Sequence, residues 1–211
     1  GHDYIADALR GGACYVLAEE RARDRLGGSS GGTREKGEAV TFFDVRQATT
    51  LDPSPLSLIS SSSAPLVILT QNSLRALQDV AAWWWRKHPA PVIGITGSVG
   101  KTVTKEMVAS ILSLRYRTFK SEGNLNSESG MPLTLLAMPP NAERAVLEMA
   151  MYDVGEIKRL CEIAPPTIGV VMNVGPSHLE RLQTLERVAQ AKGELVEALP
   201  SGGWAILNGD D

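Results

Sequence analysis

The sequence predicts an α/β fold, in which a doubly wound, mostly parallel sheet follows a smaller α/β domain. Two continuous apolar runs, 145–147 and 167–174, are typical of strands that are buried on both faces of a parallel sheet. Segments with helical periodicity separate these runs, as the alternation of strands and helices in such a fold requires. A glycine-rich turn at 94–100 joins a short apolar strand to a helix.

The first part of the chain predicts one helix and several short strands. Residues 4–10 have helical character, and strands are predicted at 13–18, 40–45 and 66–69. The segment 21–37 is rich in glycine, serine and charge, so it predicts a surface loop. The serine- and proline-rich segment 49–64 predicts an irregular connection.

A longer helix is predicted to begin at Asn72 or Ser73 and to end before the prolines of 89–91. Its apolar positions at the 3.6 period predict the packed face: Leu74, Leu77, Val80, Ala81 and Trp84. The tryptophans 83–85 span about 200° of the helix, so at least one ring should face another domain or solvent. Packing between domains is favoured over base stacking, because no basic groove accompanies the rings. The prolines predict two domains, 1–88 and 89–211.

The second domain predicts alternating strands and helices. The strand 92–95 enters the glycine turn, and the next helix carries one apolar stripe, Val103, Met107, Ile111 and Leu114. A short strand candidate at 117–120 and a polar loop at 121–130 follow, and Pro132 opens a further helix. The last predicted elements are a helix at 185–199 and a strand at 204–207.

The composition excludes several classes of protein. The 211 residues are 43% hydrophobic and include 21 basic and 24 acidic residues, so no polyanion-binding surface is indicated and nucleic acid is not expected as a partner. Cys14 and Cys161 are expected to be buried free thiols. No apolar run is long enough to span a bilayer, and the first residues lack signal-peptide features. A cytoplasmic protein is predicted, with a monomer favoured.

The glycine turn has the features of a phosphate-binding loop (P-loop). Its pattern is T-G-x-x-G-K-T, formed by Thr96, Gly97, Ser98, Val99, Gly100, Lys101 and Thr102. Glycines allow several backbone N–H groups to point at one anion, the N-terminus of the next helix adds positive potential, and lysine supplies a mobile cation. We therefore expect a nucleoside triphosphate here, with Thr102 binding Mg²⁺ through its hydroxyl. The alternative is a glycine-rich turn without a ligand.

Two further side chains follow strands whose carboxyl ends should lie beside this loop. Glu148 closes the apolar run 145–147, and His178 comes just after the run 167–174. Ligands of open parallel sheets bind beyond the carboxyl ends of the strands. A carboxylate and an imidazole placed there could bind one or two divalent ions. The alternatives are a surface or capping carboxylate and a structural histidine.

Lys192 lies in the apolar stripe of the last predicted helix. The stripe consists of Leu185, Val188, Ala189, Leu195, Val196 and Leu199. Burial of an ammonium group costs several kcal/mol unless it is paired, neutral or chemically changed. A neutral amine can add CO₂ to give a carbamate, which is a metal ligand. The equal alternative is that the stem packs and the charged group extends to solvent.

Several ordered motifs resemble the Mur ligases of peptidoglycan synthesis. The residues that carry the resemblance are 95–102, Gly123-Asn-Leu-Asn126, Gly130-Met-Pro132, Leu147-Glu148, Gly155-Glu-Ile157, 173–180 and 189–194. The branch that they resemble attaches D-alanyl-D-alanine to UDP-N-acetylmuramoyl-tripeptide. The chain departs from the usual family residues at Val99, Val103, Ser127 and 150–152.

The resemblance implies an ATP-dependent, ADP-forming amide ligase that works through an acyl phosphate. It implies that 96–102 binds ATP, that Lys101 is catalytic, and that Glu148 and His178 serve Mg²⁺. It also implies that Lys192 is the family's carbamylated lysine, and that Asn124 and Asn126 orient the substrate. The partners implied are UDP-N-acetylmuramoyl-peptide and D-alanyl-D-alanine.

The resemblance also implies that this chain is part of a longer enzyme. On that interpretation, 1–88 is a partial UDP-binding domain and 89–211 a partial central ATP-binding domain, with the C-terminal domain absent and no ligase activity in this piece alone. Alternatives within the superfamily are a lipid II amidotransferase subunit and a cyanophycin- or folylpolyglutamate-type ligase. An alternative of another class is a nucleotide-binding module without catalysis.

Overall fold

The computed structural model describes residues 4–19, 22, 33–35, 38–44, 65–177 and 179–211. The chain divides into two compact units, Gly1–Ala76 and Leu77–Asp211. The first unit therefore ends inside the long helix Ser73–Lys87, whereas the sequence analysis placed a boundary after that helix. The assignment of domains to 1–88 and 89–211 stays a prediction.

Among its described residues, the first unit contains the helix Ile5–Arg10 and a four-stranded sheet. Its elements are α1 (Ile5–Arg10), β1 (Tyr15–Glu19), β2 (Thr33–Glu35), β3 (Glu38–Asp44) and β4 (Leu66–Thr70). The strand order is β1-β4-β3-β2, in which β4 pairs in parallel with β1 and β3, and β2 pairs antiparallel with β3. The prediction of a loop was wrong at β2, because this segment pairs with the strand that follows it. The strand predicted at 40–45 is confirmed by β3, which ends at Asp44. The remainder of the loop predicted at 21–37, apart from Ala22, and the connection predicted at 49–64 lie outside the described residues.

The second unit is built on a five-stranded parallel sheet. Its strands are β5 (Val92–Thr96), β6 (Thr118–Lys120), β7 (Arg144–Glu148), β8 (Pro166–Val171) and β9 (Trp204–Leu207), in the order β6-β7-β5-β8-β9. Its helices are α2 (Ser73–Lys87, shared in sequence with the first unit), α3 (Lys101–Ser113), α4 (Gly130–Leu136), α5 (Glu156–Ile163), α6 (Leu179–Leu182) and α7 (Leu185–Glu197). All strand pairs are parallel, which confirms the predicted fold class.

Helices cover both faces of this sheet. Ile93, Ile95, Val146 and Val170 point to one face and pack with Ala109 of α3. Alternate strand residues point to the other face, where buried side chains of α4, α5 and α7 form the larger core. Since successive side chains of a strand face opposite sides, the apolar run 145–147 is buried on both sides. The run 167–174 is buried at Gly169 and Val170, half-buried at its other positions and exposed at Thr167. Helices on both faces make the arrangement doubly wound.

A pair of glycines lets α7 lie close to the sheet. Gly94 of β5 and Gly169 of β8 are direct neighbours in the register, and both lie under Leu195 of α7. A Cβ atom on Gly94 would lie 2.8 Å from Leu195 Cδ1, and one on Gly169 would lie 3.2 Å from Leu195 Cγ. The two glycines therefore leave the space that Leu195 fills, and they set the depth of α7.

The predicted face of α3 was wrong. Val103, Met107, Ile111 and Leu114 are 61–88% exposed, and the buried residues of the helix are Lys105 and Ala109. Ala109 packs in the core beside the sheet, with Val108 and Leu112 partly buried around it. The small alanine allows the helix to approach the strands closely. The face that α3 turns to the sheet is therefore set by this contact and not by its largest apolar residues.

The predicted face of α2 was wrong at two of its five positions, Leu74 and Val80, whereas Ala81 is buried and Leu77 and Trp84 are half-buried. The tryptophans of the helix differ as expected. Leu74 and Val80 are exposed, whereas Gln78, Ala81, Ala82 and Trp85 are buried. Trp83 is 51% exposed, Trp84 is half-buried and donates through Nε1 to Met138 O at 3.1 Å, and Trp85 lies in the core. The helix ends at Lys87, before the prolines, as predicted.

The two cysteines have different environments. Cys161 is buried, and desolvation, with smaller contributions from the charges of Glu194 and Glu162, raises the pKa of its thiol to about 12. The prediction of burial was wrong for Cys14, which is exposed at the start of β1. Among the described residues, no helix is long and apolar enough to cross a membrane.

Candidate functional site

The glycine loop, residues 97–100, connects the end of β5 to the first residue of α3. Gly100 has φ +86° and Gly97 has φ +155°, both in the range that favours glycine. A Cβ on Gly97 would also lie 2.8 Å from Met172 Cβ, just past the end of β8. The loop thus turns sharply and points the N-terminus of a 13-residue helix at the carboxyl edge of the sheet. Such a helix end favours an anion.

Lys101 folds back over this loop. Its Nζ donates a hydrogen bond to Gly97 O at 2.7 Å. Thr96, at the end of β5, is 1% exposed, and its hydroxyl has no hydrogen-bond partner among the described residues. A buried hydroxyl without a partner is costly. Together, an ammonium group at a helix N-terminus and an unpartnered hydroxyl at the end of the preceding strand fit a site that accepts a polar ligand.

Glu148 brings three of the predicted residues together. It is 2% exposed at the end of β7, and its two carboxylate oxygens accept separate hydrogen bonds. Thr102 Oγ1 donates to Oε2 at 2.9 Å, and Asn126 Nδ2 donates to Oε1 at 2.8 Å. The Glu148 backbone N–H donates to Ser121 Oγ at 3.0 Å. The carboxylate is therefore held in one orientation beside the first turn of α3.

The donor set at Glu148 fits Mg²⁺. The Thr102 hydroxyl and the Glu148 carboxylate both offer oxygen atoms as metal ligands, and the two groups lie within hydrogen-bond distance of each other. Mg²⁺ prefers oxygen and is often bound by one or two protein ligands, with phosphates and water completing the shell. In the part of the chain that the structure describes, no group of three or more His, Cys, Asp or Glu could hold a metal. His178 lies outside the described residues, so its ligand role stays a prediction.

The two asparagines of the Gly123-Asn-Leu-Asn126 motif differ. Asn126 contacts Glu148 through its side chain and accepts from Ala150 N at 2.9 Å through its backbone oxygen. Asn124 is exposed, and its backbone oxygen accepts from Asn126 N at 2.8 Å. Of the two, Asn126 is therefore the one that fixes the carboxylate, and Asn124 is open to a ligand.

Lys192 lies on the buried side of α7 and is 2% exposed. Its amine forms no hydrogen bond or ion pair with any residue that the structure describes. Burial, together with the positive charge of Lys101, lowers its pKa to about 8. A substantial fraction of the amine is therefore neutral near physiological pH, and a neutral amine is a nucleophile.

Sequence reasoning assigned no role to two residues that contact the site. Ser121 is 1% exposed and supports Glu148 from the segment after β6. Asn173, just after β8, contacts the backbone of Val99 in the glycine loop through both atoms of its amide group. Each lies directly after a predicted strand, and this position at the carboxyl edge is the signal that could have identified them.

Comparisons with known proteins agree with this arrangement. The family model described as the Mur ligase middle domain matches residues 95–211. The UDP-N-acetylmuramoyl-tripeptide--D-alanyl-D-alanine ligase of Synechocystis sp. is 44% identical over all of this chain and 38% of its own length. The Bacillus subtilis ligase of the same name is 45% identical over 69% of this chain and 32% of its own length.

Solved structures are also similar. The MurF ligase from Thermotoga maritima, in complex with ADP, matches with a TM-score of 0.72 and 32% identity, over 100% of this chain and 40% of the other. The chain thus spans about two fifths or less of the proteins that it matches. On the family model and on both relatives, the chain belongs to the Mur ligase family.

Proposed function

We propose that this chain is the nucleotide-binding part of an ATP-dependent, ADP-forming amide ligase. The reaction would join D-alanyl-D-alanine to UDP-N-acetylmuramoyl-tripeptide, as the names of the similar ligases state. The observation that carries the proposal is the contact of Glu148 with Thr102 and Asn126 beside the glycine loop. It joins a helix N-terminus, a lysine and a buried carboxylate at one edge of a parallel sheet.

The chemistry requires activation of a carboxylate. A free carboxylate is a poor electrophile, so one of its oxygens attacks the γ-phosphorus of ATP and ADP leaves, which gives an acyl phosphate. The amine of the dipeptide then attacks the carbonyl carbon, the amine loses a proton, and inorganic phosphate leaves. Both steps place negative charge on phosphoryl oxygens, so catalysis depends on positioning and on nearby positive charge.

The residues at the site would divide this work. Lys101 would exchange its bond to Gly97 O for the phosphoryl oxygens. The loop 96–102 would hold the other phosphates through backbone N–H groups other than those of Ser98 and Val99, which donate to Asn173. Thr102 and Glu148, with His178, would hold Mg²⁺, which when bound neutralises developing charge on the phosphates. Asn126 orients the Glu148 carboxylate. Asn124, exposed beside it, would contact the substrate.

Lys192 would act as a carbamate. The ammonium group first loses a proton, the neutral amine nitrogen then attacks the carbon of CO₂, and the adduct releases a second proton. A cation thus becomes an anion without any external reductant or oxidant. The lowered pKa and the unpartnered position support this step. The product would be a further oxygen ligand for a metal ion. Mass spectrometry of the full-length protein, kept in bicarbonate, should find a mass increase of about 44 units at this residue, which is the mass of one CO₂.

Two measurements test the proposal. In this chain, ATP or ADP with Mg²⁺ should raise the melting temperature, and Lys101→Ala should abolish that rise. In the full-length protein, phosphate release should require both the tripeptide substrate and D-alanyl-D-alanine. ATP binding without such phosphate release would instead identify a nucleotide-binding module without catalysis.

A further inference from the structure

Asn173 fastens the glycine loop to the end of β8. The Val99 N–H donates to Asn173 Oδ1 at 2.9 Å, and Asn173 Nδ2 donates to Val99 O at 3.0 Å. One side-chain amide thus satisfies both backbone groups of one loop residue. The backbone oxygen of Asn173 also accepts from Ser98 N at 3.1 Å.

Ser98 makes a second attachment to the same segment. Its hydroxyl accepts from Gly175 N at 2.8 Å and contacts Gly175 O and Ser177 Oγ, both at 2.9 Å. One hydroxyl has one donor and two acceptor sites, so these three contacts use all of them. Residues 98 and 99 are therefore held by 173–177 through six hydrogen-bond contacts, counting the three of Asn173.

These contacts decide which backbone groups remain for a ligand. The N–H groups of Ser98 and Val99 are already used inside the protein. The side-chain amide thus holds both peptide groups that flank Val99, and with them the direction of the chain that enters Gly100 and α3. The positive φ of Gly100 then sets the first turn of the helix. A loop of this kind binds an anion best when its N–H groups need no rearrangement.

We propose that Asn173 is a positioning residue, which holds the glycine loop in the conformation that receives the phosphates of a nucleotide. The inference rests on the proposed nucleotide binding, and it adds a residue that lies just after a neighbouring strand and does not itself touch the nucleotide. Asparagine is suited to this position because it offers one donor and one acceptor in a plane. Aspartate offers only acceptors, so it would face Val99 O with a second oxygen.

The main test compares two substitutions near opposite ends of β8, one just after the strand and one near its start. Asn173→Leu removes both side-chain hydrogen bonds while nearly keeping the shape. Thr167→Val is the matched control. Thr167 Oγ1 donates to Val92 O at 3.2 Å, and this bond joins the starts of β8 and β5, at the sheet edge away from the glycine loop. The readouts are the dissociation constant of ADP with Mg²⁺, by titration calorimetry on the 211-residue chain, and the melting temperature without nucleotide.

We expect Asn173→Leu to raise the dissociation constant at least about fivefold, the equivalent of one lost hydrogen bond. Thr167→Val should leave it within about twofold, since one bond at the far end of the strands does not shape the loop. Equal affinity of Asn173→Leu and wild type, or equal losses in both variants, would overturn the proposal. Should the leucine variant not fold, Asn173→Ser serves with the same expectations.

Amide hydrogen exchange tests the attachment without any substitution. The Val99 amide should be protected in the nucleotide-free wild-type chain, because Asn173 Oδ1 accepts its proton. Exchange at the rate of an open loop would overturn the proposal. Failure of the wild type to bind ADP would reject the proposed function instead, and the exchange measurement would still decide the role of Asn173.

Discussion

Helices α3 and α7 each bury a lysine, but in different surroundings. Lys105 of α3 is 1% exposed, and its amine lies 3.3 Å from the carboxylate of Glu106, which also binds Lys120. Lys192 of α7 is 2% exposed and forms no ion pair with an acidic residue in the described part of the chain. A buried charge is tolerated when it is paired. The comparison supports a structural role for Lys105 and agrees with the chemical role proposed for Lys192.

The largest expected effect is on ligase activity, when each of the two lysines is replaced by methionine. Lys192→Met keeps the packing but removes the amine, so ligase activity of the full-length protein should fall at least about a hundredfold through loss of a metal-site group. Lys105→Met is the matched control and should retain activity within a few fold, about the range of a repacked core residue. The measurement is phosphate release under saturating substrates.

A hundredfold loss of ligase activity in the Lys105 variant, or full activity in the Lys192 variant, would contradict the roles given to the two lysines. Melting temperatures of both variants show whether either result follows from misfolding. We expect Lys192→Met to be at least as stable as the wild type, since a buried cation without a partner is replaced by an apolar side chain of similar length.

The next effect is on stability as a function of pH. Burial lowers the pKa of Lys192 from its ordinary value of 10.5 to about 8, so between these values the unfolded chain binds more protons than the folded one. The free energy of unfolding should therefore rise as the pH increases from about 8 to about 10.5, by up to about 3 kcal/mol. Below pH 8 the full penalty is present.

Urea unfolding in CO₂-free buffer at several pH values measures this rise, and Lys192→Met should remove Lys192's contribution to it. CO₂ must be absent because a carbamate would change the titrating group. Identical pH profiles of the wild type and the methionine variant would show that the Lys192 amine is not desolvated in the folded chain.

A smaller effect should come from the glycines under α7. Gly94→Ala places a Cβ 2.8 Å from Leu195 Cδ1, so Leu195 must move outward, at a cost of about 1–3 kcal/mol. The same movement should expose Lys192 and bring its pKa closer to 10.5. Leu195→Ala on the Gly94→Ala background should cost less than Leu195→Ala alone, because the new methyl group partly fills the space.

Chemical denaturation of the four proteins in this cycle gives the coupling energy. Additive losses would mean that Leu195 does not meet the new methyl group, and that another contact sets the depth of α7. In that case the glycine pair would not explain why Lys192 is buried.

Much of the fold and of the candidate site could be predicted from local sequence patterns, combined with the rule that ligands of parallel sheets bind at the carboxyl ends of the strands. The runs at 145–147 and 167–174 became β7 and most of β8, and the rule that ligands bind at carboxyl ends placed Glu148 beside Thr102. Lys192 was found because one cation interrupted an apolar stripe. In each case the residue type and its position in an element were sufficient.

The remaining features depend on contacts that a single sequence does not encode locally. The phase of α3 follows from the close packing of Ala109, so its large apolar residues are exposed. The role of Asn173 depends on Val99, which is 74 residues away in sequence. Cys14 is exposed although apolar residues surround it in sequence. Tertiary neighbours decided all three.

The smallest effect concerns the partner of Lys105. Glu106→Gln leaves the buried ammonium group beside a neutral amide, so the melting temperature should fall by about 1–3 °C, the range for a modest loss in a chain of this size. Lys120→Met is the matched control, since it removes only the exposed side of the cluster and should change little. The double variant Lys105→Met/Glu106→Gln should recover the loss, because no buried charge remains. An unchanged melting temperature in Glu106→Gln would mean that Lys105 tolerates burial without its partner, and Lys192 would then no longer stand apart from it.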